Sequence, residues 1–499
     1  MGSPSDDRFT VLTDVRPAAP PRPRRIVPAA LADHRVFAVL LVLAAALRVV
    51  TMLGYRPAQL YWYDSFTYLD TAVRLKPSAA FHPIGYPLLL RVLWPFHSVE
   101  LIAAVQHAMG LAIGVMIYAL LRRRSLPGWG AALATVPPLF DASFLRLEHS
   151  VLSDTLFIFL IVAGLTTLMW SPALSARAAT GAGLLFAAAA LTRTIALPLL
   201  LLVLLVLAVQ RAGRRHGRPG ERPGRRRGWR GWRPLLAMAL AGTLPLAAYA
   251  AWYGAHHGRF ALSGADGVAL WARTMTFADC AVVKPPPELA RLCPNGTVMD
   301  AASEYVWAPG ASLNLLPGGR FAHNDAARSF ALRAIAAQPS DYLREVVEDT
   351  SIAFSWTPVA HPKRVVPAVG FGHGDWPLPE QPLIDKVTRE YDPDIRGLYS
   401  VRPYADVLVA YQYPAYLRGP LLGAILLVGA AGALLRRRGA RPGTRRAVLL
   451  PWATAAALLV GPVAVLDFDH RYVLPAVPVA CLAAALALRS LLVRPPARE

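Results

Sequence analysis

The sequence predicts an all-α polytopic membrane protein with about ten transmembrane helices and an external domain of about 160 residues. Hydrophobic residues make up 55% of the 499 residues, and the mean hydropathy of +0.39 is high for a soluble globular protein. The apolar residues are gathered into blocks of roughly 20, the length that crosses a bilayer as a helix. Arginines crowd into the short loops between these blocks, as is typical of cytoplasmic loops.

The order of apolar blocks and basic loops predicts the topology. An even number of spans must separate any two loops on the same side of the membrane, and the basic loops belong in the cytoplasm. Ten spans meet this condition if Thr192-Arg193-Thr194 is a turn between two short helices. The predicted spans are 36–53, 98–121, 128–143, 151–170, 178–192, 195–209, 234–253, 414–435, 446–466 and 472–492.

This topology divides the chain into regions with different environments. The first outer loop contains a mostly apolar stretch, Pro83 to Phe96, that is too short to span and suits an interfacial or re-entrant helix. The predicted regions are a disordered cytoplasmic N-terminus (1–35), a transmembrane core (36–253) with the first outer loop (54–97) and a basic cytoplasmic loop (211–233), an external domain (254–413), C-terminal transmembrane helices (414–492) and a cytoplasmic tail (493–499).

The segment 254–413 is predicted to fold as an external domain. It holds 14 Lys or Arg against 17 Asp or Glu, a near-neutral balance unlike that of the cytoplasmic loops. Its length fits one domain, with either an α/β or a mostly helical core. Cys280 and Cys293 both lie in this segment, where oxidation is permitted, so we expect them to form a disulfide.

The net charge of +21 raises the question of a nucleic-acid partner. The membrane topology already accounts for the arginine-rich loops, so we expect membrane lipids as partners and no nucleic acid. Only four of the basic residues are Lys. Together with the excess of Ala and Pro, this composition suggests a GC-rich bacterial genome, and hence a bacterial plasma membrane.

The first outer loop places carboxylates among aromatic side chains beside a membrane boundary. Aromatic residues are expected there as an interfacial belt, but an embedded carboxylate is not. Asp64 is a candidate general base for deprotonating an acceptor hydroxyl. It also precedes a helix-like run, so a helix N-cap is the alternative. The segment reads Tyr61-Trp62-Tyr63-Asp64-Ser65-Phe66-Thr67-Tyr68-Leu69-Asp70.

A second acidic group lies at the start of the fourth span, in Glu148-His149-Ser150-Val151-Leu152-Ser153-Asp154. Charged residues at helix depth are costly and often functional. Asp154 could meet Asp64 across a shared cavity and bind either the acceptor or a divalent cation. Asp70 and Glu148 are further candidates for the second carboxylate. The alternative for Asp154 is a carboxylate favoured by the helix macrodipole.

Two arginines lie on the outer side of the predicted topology, against the positive-inside trend. Arg193 occupies the outer turn of an apolar hairpin, and Arg471 follows Asp467-Phe468-Asp469-His470 just before the last span. A guanidinium binds phosphate through two parallel hydrogen bonds, so both residues are candidate phosphate ligands. Snorkelling to lipid headgroups is the alternative for each.

In their order and common sidedness, these motifs resemble the GT-C glycosyltransferase superfamily, in particular its lipid-carrier-dependent, protein-mannosyltransferase-like branch. The resemblance covers about 36–210 and 414–490. The family often has two adjacent acids in its first loop, whereas Ser65 follows Asp64 here. The matching elements are Asp64 followed by His82-Pro83-Ile84-Gly85-Tyr86-Pro87-Leu88-Leu89-Leu90, then Ser153-Asp154-Thr155-Leu156-Phe157, Thr192-Arg193, and Arg471-Tyr472-Val473-Leu474-Pro475.

The resemblance implies transfer of one hexose or pentose from a polyprenyl-phosphate donor to a glycan, lipid or protein acceptor on the outer face of the membrane. Asp64 would then be the base, Arg193 and Arg471 would hold the donor phosphate, and the reaction would invert the anomeric carbon. Such a reaction belongs to the assembly of cell-envelope glycans or glycoproteins. Tyr63, Tyr68, His82 and His470 would line the cavity.

A transporter or lipid flippase is the competing class, because ten spans with intramembrane charges also fit it. Transporters often contain repeated halves and midplane binding sites. No internal repeat is evident in this sequence, and the candidate residues cluster at the outer ends of the spans. A structural assembly factor, the third class, would leave Asp64 and Arg193 unexplained.

Overall fold

The computed structural model describes residues 26–78, 81–215, 225–363, 370–435 and 444–492. Most of the predicted N-terminal region, part of the basic loop 211–233 and the tail 493–499 therefore lie outside the described residues. The helices are α1 (Ile26–Gly54), α2 (Trp62–Arg74), α3 (Gly85–Leu93), α4 (Val99–Arg123), α5 (Gly128–Leu133), α6 (Val136–Phe140), α7 (Ala142–Glu148), α8 (Asp154–Met169), α9 (Ala176–Thr192), α10 (Ala196–Arg215), α11 (Arg225–His257), α12 (Asp266–Thr274), α13 (Cys280–Val283), α14 (Ala302–Trp307), α15 (Asn324–Ala337), α16 (Pro339–Ser351), α17 (Pro382–Tyr391), α18 (Tyr404–Tyr411), α19 (Gly419–Leu434), α20 (Thr444–Val465), α21 (His470–Val473) and α22 (Ala476–Leu492).

The chain is an all-α polytopic membrane protein. In the part of the chain that the structure describes, five helical stretches are long and apolar enough to cross a membrane. These stretches lie in α1, α4, α11, α20 and the pair α21–α22. Four shorter apolar helices, α8, α9, α10 and α19, accompany them. All nine fall on predicted spans, because length and apolar composition are properties that the sequence shows directly.

Two segments differ from their predicted form. The predicted span 128–143 is divided into α5, α6 and α7, because Pro137 and Pro138 lack the N–H groups that would continue α5. Asp141 then caps α7 by accepting a hydrogen bond from the Ser143 backbone N–H at 2.7 Å. The first helix begins at Ile26, so residues 26–35 are helical rather than disordered.

The segment 254–413 is mostly helical, with α12 to α18 and a small antiparallel sheet. The strands are β1 (Tyr55–Arg56), β2 (Asp375–Pro377) and β3 (Gly397–Ser400), in the order β1-β3-β2. Because β1 comes from the first outer loop, the sheet fastens that loop to the domain. A separate apolar core surrounds Trp271 and Phe330. The sulfurs of Cys280 and Cys293 are bonded to each other in this domain.

Candidate active site

Charged side chains from four distant segments of the chain meet at one place. In the predicted topology this place lies at the outer ends of the helices. Asp64 lies in the first turn of α2, and Asp154 is the first residue of α8. Arg193 lies in the turn between α9 and α10, and Arg471 lies in α21. We call these four residues, together with His82, the outer charged cluster.

Asp64 is held between a histidine and an arginine. His82 Nε2 lies 3.2 Å from Asp64 Oδ1, and Arg471 Nη1 lies 3.5 Å from Oδ2. Burial alone would raise the pKa of Asp64. The hydrogen bond from His82 and the charges of His82, Arg471 and Arg193 outweigh burial and hold this pKa well below its usual range. The N-cap of α2 is Tyr61, so Asp64 does not cap the helix.

A hydrogen-bonded chain continues from His82 into the protein. The Tyr68 hydroxyl lies 2.9 Å from His82 Nδ1 and 3.0 Å from Ser153 Oγ. An ionised carboxylate only accepts hydrogen bonds, so His82 Nε2 carries a proton and donates to Asp64. Burial raises the pKa of Tyr68, which keeps its hydroxyl protonated beside His82 Nδ1. Both ring nitrogens of His82 are therefore engaged, and the ring orients the Asp64 carboxylate.

Arg193 and Asp154 form an ion pair across the site. The Asp154 side chain is only 1% exposed, and its Oδ2 has no hydrogen-bond partner among the described residues. The Arg193 Cζ lies 4.8 Å from the centre of the Tyr472 ring. Arg193 therefore has the local anionic partner that its position requires, supplied by a different helix.

Arg471 is held by its own helix and by two aromatic rings. Its Nε donates to Asp469 Oδ2 at 2.9 Å, and Asp469 Oδ1 also accepts the Arg471 backbone N–H as the cap of α21. The Arg471 Cζ lies 5.0 Å from the Tyr61 ring centre and 5.1 Å from the Tyr472 ring centre. These contacts fix the guanidinium without using all of its N–H groups.

The charges around the site do not cancel. Asp64, Asp154 and Asp469 face Arg193 and Arg471, which leaves one net negative charge when His82 is neutral. A phosphate that binds these arginines must share them with the carboxylates. Its arrival would favour an added positive charge nearby.

The residues at Asp64 do not form a metal-binding group of three protein ligands. Within the described residues, Asp349, His361 and Asp467 are the one set of His, Cys, Asp or Glu close enough together to hold an ion. The members of that set already pair with protein groups: His361 Nε2 donates to Asp467 Oδ1 at 2.7 Å, and Asp349 pairs with Arg273. We therefore assign no metal to either place.

Three other candidate residues lie away from the outer charged cluster. Asp70 Oδ1 pairs with Arg74 at 2.7 Å and lies 3.8 Å from the Lys386 Nζ. His470 Nε2 donates to the Val359 carbonyl at 2.7 Å. Glu148 is enclosed among the helices, as described below. The side chain of Tyr63 lies outside the described residues.

Glu148 belongs to a buried ion network that joins α1, α4 and α7. Its Oε1 accepts from Arg48 Nη2 at 2.7 Å, and its Oε2 bonds to His107 Nδ1 at 2.9 Å. His107 Nε2 continues to His149 Nδ1 at 3.3 Å. All four side chains are buried. A Cβ atom at Gly110 would overlap the Glu148 carboxylate, so the glycine makes room for it.

Sequence reasoning did not assign the supporting residues. Tyr61, Asp469 and Tyr472 contact the outer charged cluster, and Ser153 contacts Tyr68 beside it, yet none of the four is a site residue predicted from the sequence. All four lie in the motifs that drew attention to Asp64, Asp154 and Arg471. Their proximity to those residues in sequence was the available signal.

Several solved structures resemble the chain. One is the Saccharomyces cerevisiae protein O-mannosyltransferase Pmt1-Pmt2 complex. Its TM-score is 0.36 and its identity 15%, and the match covers 55% of this chain and 39% of that chain. For the Archaeoglobus fulgidus oligosaccharyltransferase the TM-score is 0.38, the identity 14%, and the coverage 91% of this chain and 50% of that chain. For ArnT from Cupriavidus metallidurans bound to undecaprenyl phosphate, the TM-score is 0.34 and the identity 13%, and the match covers 91% of this chain and 77% of that chain.

The chain spans half or less of the length of the first two of these proteins. No family model matches the sequence, and no curated protein matches it.

Proposed function

We propose that the protein is a membrane glycosyltransferase that moves one sugar from a polyprenyl-phosphate donor to an acceptor at the outer face of a bacterial plasma membrane. One observation carries the proposal. An ionised carboxylate, Asp64, lies beside two guanidinium groups, Arg193 and Arg471, at helix ends where a lipid-linked phosphate could reach from the bilayer. A carboxylate base and a phosphate clamp are the two groups that this transfer needs.

In the proposed reaction, an acceptor hydroxyl oxygen attacks the anomeric carbon of the donor sugar. The new bond forms as the bond between that carbon and the phosphate oxygen breaks. The hydroxyl proton passes to Asp64, and the polyprenyl phosphate leaves with the electron pair of the broken bond. Arg193 and Arg471 stabilise the charge that builds on the leaving phosphate. A single displacement from the opposite side inverts the anomeric carbon.

Donor binding would also prepare the base. In the structure Arg471 lies close enough to Asp64 to depress its pKa, which makes the carboxylate a weak base. A phosphate that draws the Arg471 charge towards itself would raise the pKa of Asp64 and make it a stronger base. The acceptor would then be deprotonated only when the donor is in place, which limits wasteful reaction.

The direct test uses the purified full-length protein in lipid vesicles. We would supply polyprenyl-phosphate sugars, polyprenyl-diphosphate sugars and nucleotide sugars separately, and follow polyprenyl phosphate release by mass spectrometry. Release from the monophosphate donors, with an inverted anomeric carbon in the product, is the expected result. Use of nucleotide sugars alone, or movement of lipid between leaflets without any covalent change, would overturn the proposal. The second outcome would establish the flippase alternative.

A further inference from the structure

One short helix of the external domain, α14, contacts the two loops next to the candidate active site. At its beginning, the Ser303 backbone N–H and hydroxyl both donate to Asp467 Oδ2, at 3.0 and 2.7 Å. Asp467 begins the loop that leads to Arg471. At its end, Trp307 contacts Phe81, with ring centres 6.1 Å apart. Phe81 is the chain neighbour of His82, which binds Asp64. Two independent contacts therefore place α14 beside both catalytic loops.

Trp307 ends α14 with its indole largely open to solvent. Trp307 is 59% exposed, although Phe81 packs beside it. Phe81 in turn contacts Phe321, and both phenylalanines pack against the core of the domain. The Arg320 Cζ lies 4.8 Å from the indole ring centre. Arg320 Nε donates to Asn314 Oδ1 at 2.8 Å. Throughout the described ranges, no carboxylate pairs with Arg320.

This arrangement combines an apolar face with unused hydrogen-bond donors. A sugar ring has the matching chemistry, since one face carries C–H groups that pack on an aromatic ring and its edge carries hydroxyl oxygens that accept from N–H groups. The unpaired Arg320 guanidinium also suits an acidic sugar, because it could bind the sugar carboxylate without breaking an ion pair within the protein. We propose that Trp307 and Arg320 bind a sugar ring of the acceptor, which makes the acceptor a glycan; this rests on the proposed function.

An exposed tryptophan can also serve as an anchor at the membrane interface. A second exposed tryptophan, Trp356, serves as a control for this explanation. Trp356 is 62% exposed, and the Arg418 Cζ lies 5.7 Å from its ring centre. Arg418 is the N-cap of the membrane helix α19. Trp356 therefore has the same two side-chain types at a membrane-helix end, but among the described residues it has no ring contact with Phe81, the neighbour of His82.

The test compares W307A, W307F and W356A in the full-length protein in nanodiscs. For each variant we would measure transfer of sugar to soluble oligosaccharides, neutral and acidic, and to peptides. In parallel, donor hydrolysis by water would be measured without any acceptor. We expect W307A to raise the oligosaccharide KM at least about tenfold, with W307F in between, while donor KM and donor hydrolysis stay at the wild-type level. W356A should transfer normally.

Two outcomes would overturn the assignment: an unchanged oligosaccharide KM in W307A, or an equal loss of transfer in W307A and W356A. Preference for a peptide acceptor in the wild type would also exclude a glycan. A separate measurement does not depend on turnover. Saturation-transfer NMR with the same oligosaccharides should detect contact with the wild type and little with W307A. If no donor is used but this contact is seen, the proposed function fails and the sugar site stands. If donors are used and no contact is seen, the proposed function stands and the sugar site fails.

Discussion

Two carboxylates six residues apart, Glu148 and Asp154, lie in contrasting surroundings. Glu148 is completely enclosed, and each of its oxygens has a permanent partner from another helix. Asp154 shares one oxygen with Arg193, while its other oxygen has no partner among the described residues. In the buried ion network both carboxylate oxygens are paired, although Arg48 Nε is not, whereas in the outer charged cluster a buried carboxylate oxygen is itself unused. We therefore expect a structural role for the fully paired Glu148 carboxylate, and a ligand beside the carboxylate oxygen of Asp154 that has no partner.

The largest expected effect separates Asp64 from its neighbour Asp70. Asp64→Asn keeps the shape of the side chain but removes its basicity, and we expect the transfer rate to fall roughly 10²–10⁴-fold. Asp70→Asn is the matched control, because Asp70 pairs with Arg74 and Lys386 instead. Initial rates at saturating substrates, normalised to protein amount, provide the measurement. Asp64→Asn activity within about threefold of wild type would remove Asp64 from the mechanism.

The buried ion network should respond in stability rather than chemistry. Glu148→Ala leaves Arg48 buried without its carboxylate, and we expect a loss of about 3–5 kcal/mol in unfolding free energy. Thermal unfolding followed by intrinsic fluorescence would measure this. The double variant Arg48→Met with Glu148→Leu is the control, because it removes both charges and should recover much of the loss. A Glu148→Ala protein that is stable but inactive would instead place Glu148 in the reaction.

The two arginines should differ in how well lysine replaces them. Lysine keeps the charge but loses the two-pronged hydrogen bonding, so Arg193→Lys should raise the donor KM about tenfold. Arg471→Lys should have the smaller effect, because Asp469 and two aromatic rings also hold that side chain. Acceptor KM should change little in either variant. Unchanged donor KM in both would support snorkelling and remove the phosphate clamp.

The smallest effect concerns the contact between the external domain and the loop before Arg471. Burial alone would lower the pKa of His361, but its hydrogen bond and charge interaction with Asp467 raise this pKa above the ordinary value. Since the folded pKa is raised, the stabilisation is complete below the unfolded pKa of about 6.5 and is lost as pH rises through the folded pKa.

The partner residue sets the lower limit of this pH window. Interactions with His361 and Ser303 overcome the opposing effect of burial and lower the pKa of Asp467, so its contribution is lost only in strong acid. We expect His361→Gln to reduce stability by about 1 kcal/mol at pH 5.5 and by less at pH 8.5. Melting temperatures of both proteins at the two pH values test this. An equal difference in melting temperature between wild type and His361→Gln at both pH values would show that His361 and Asp467 do not titrate as described.

The sequence predicted the membrane helices and the members of the outer charged cluster for the same reason: each has a local cue. Apolar length indicates a span, and a charge at the wrong end of an apolar helix indicates a special environment. Asp64, Asp154, Arg193 and Arg471 all carried such a cue, and they lie together. Their roles in catalysis stay predictions until the variants are measured.

What the sequence could not predict were the pairings between distant segments. Glu148 carried the same cue as Asp154, but its partner Arg48 comes from α1, and nothing near Glu148 indicates that contact. His82 was expected only to line a cavity, because its bonds to Asp64 and Tyr68 depend on how the loop after α2 folds back. Long-range packing decides these contacts.

The pairing of β1 with β3 has a consequence for the order in which the protein is made. Tyr55 pairs with Ser400, so about 345 residues are synthesised between the two halves of this contact. At roughly 5–20 residues per second, ribosomes take about 17 to 70 s to add them. During that time the loop that carries Asp64 has no partner strand. We therefore expect the first outer loop to be secured late in biogenesis, and a chain that ends before residue 397 lacks the strand that pairs with it.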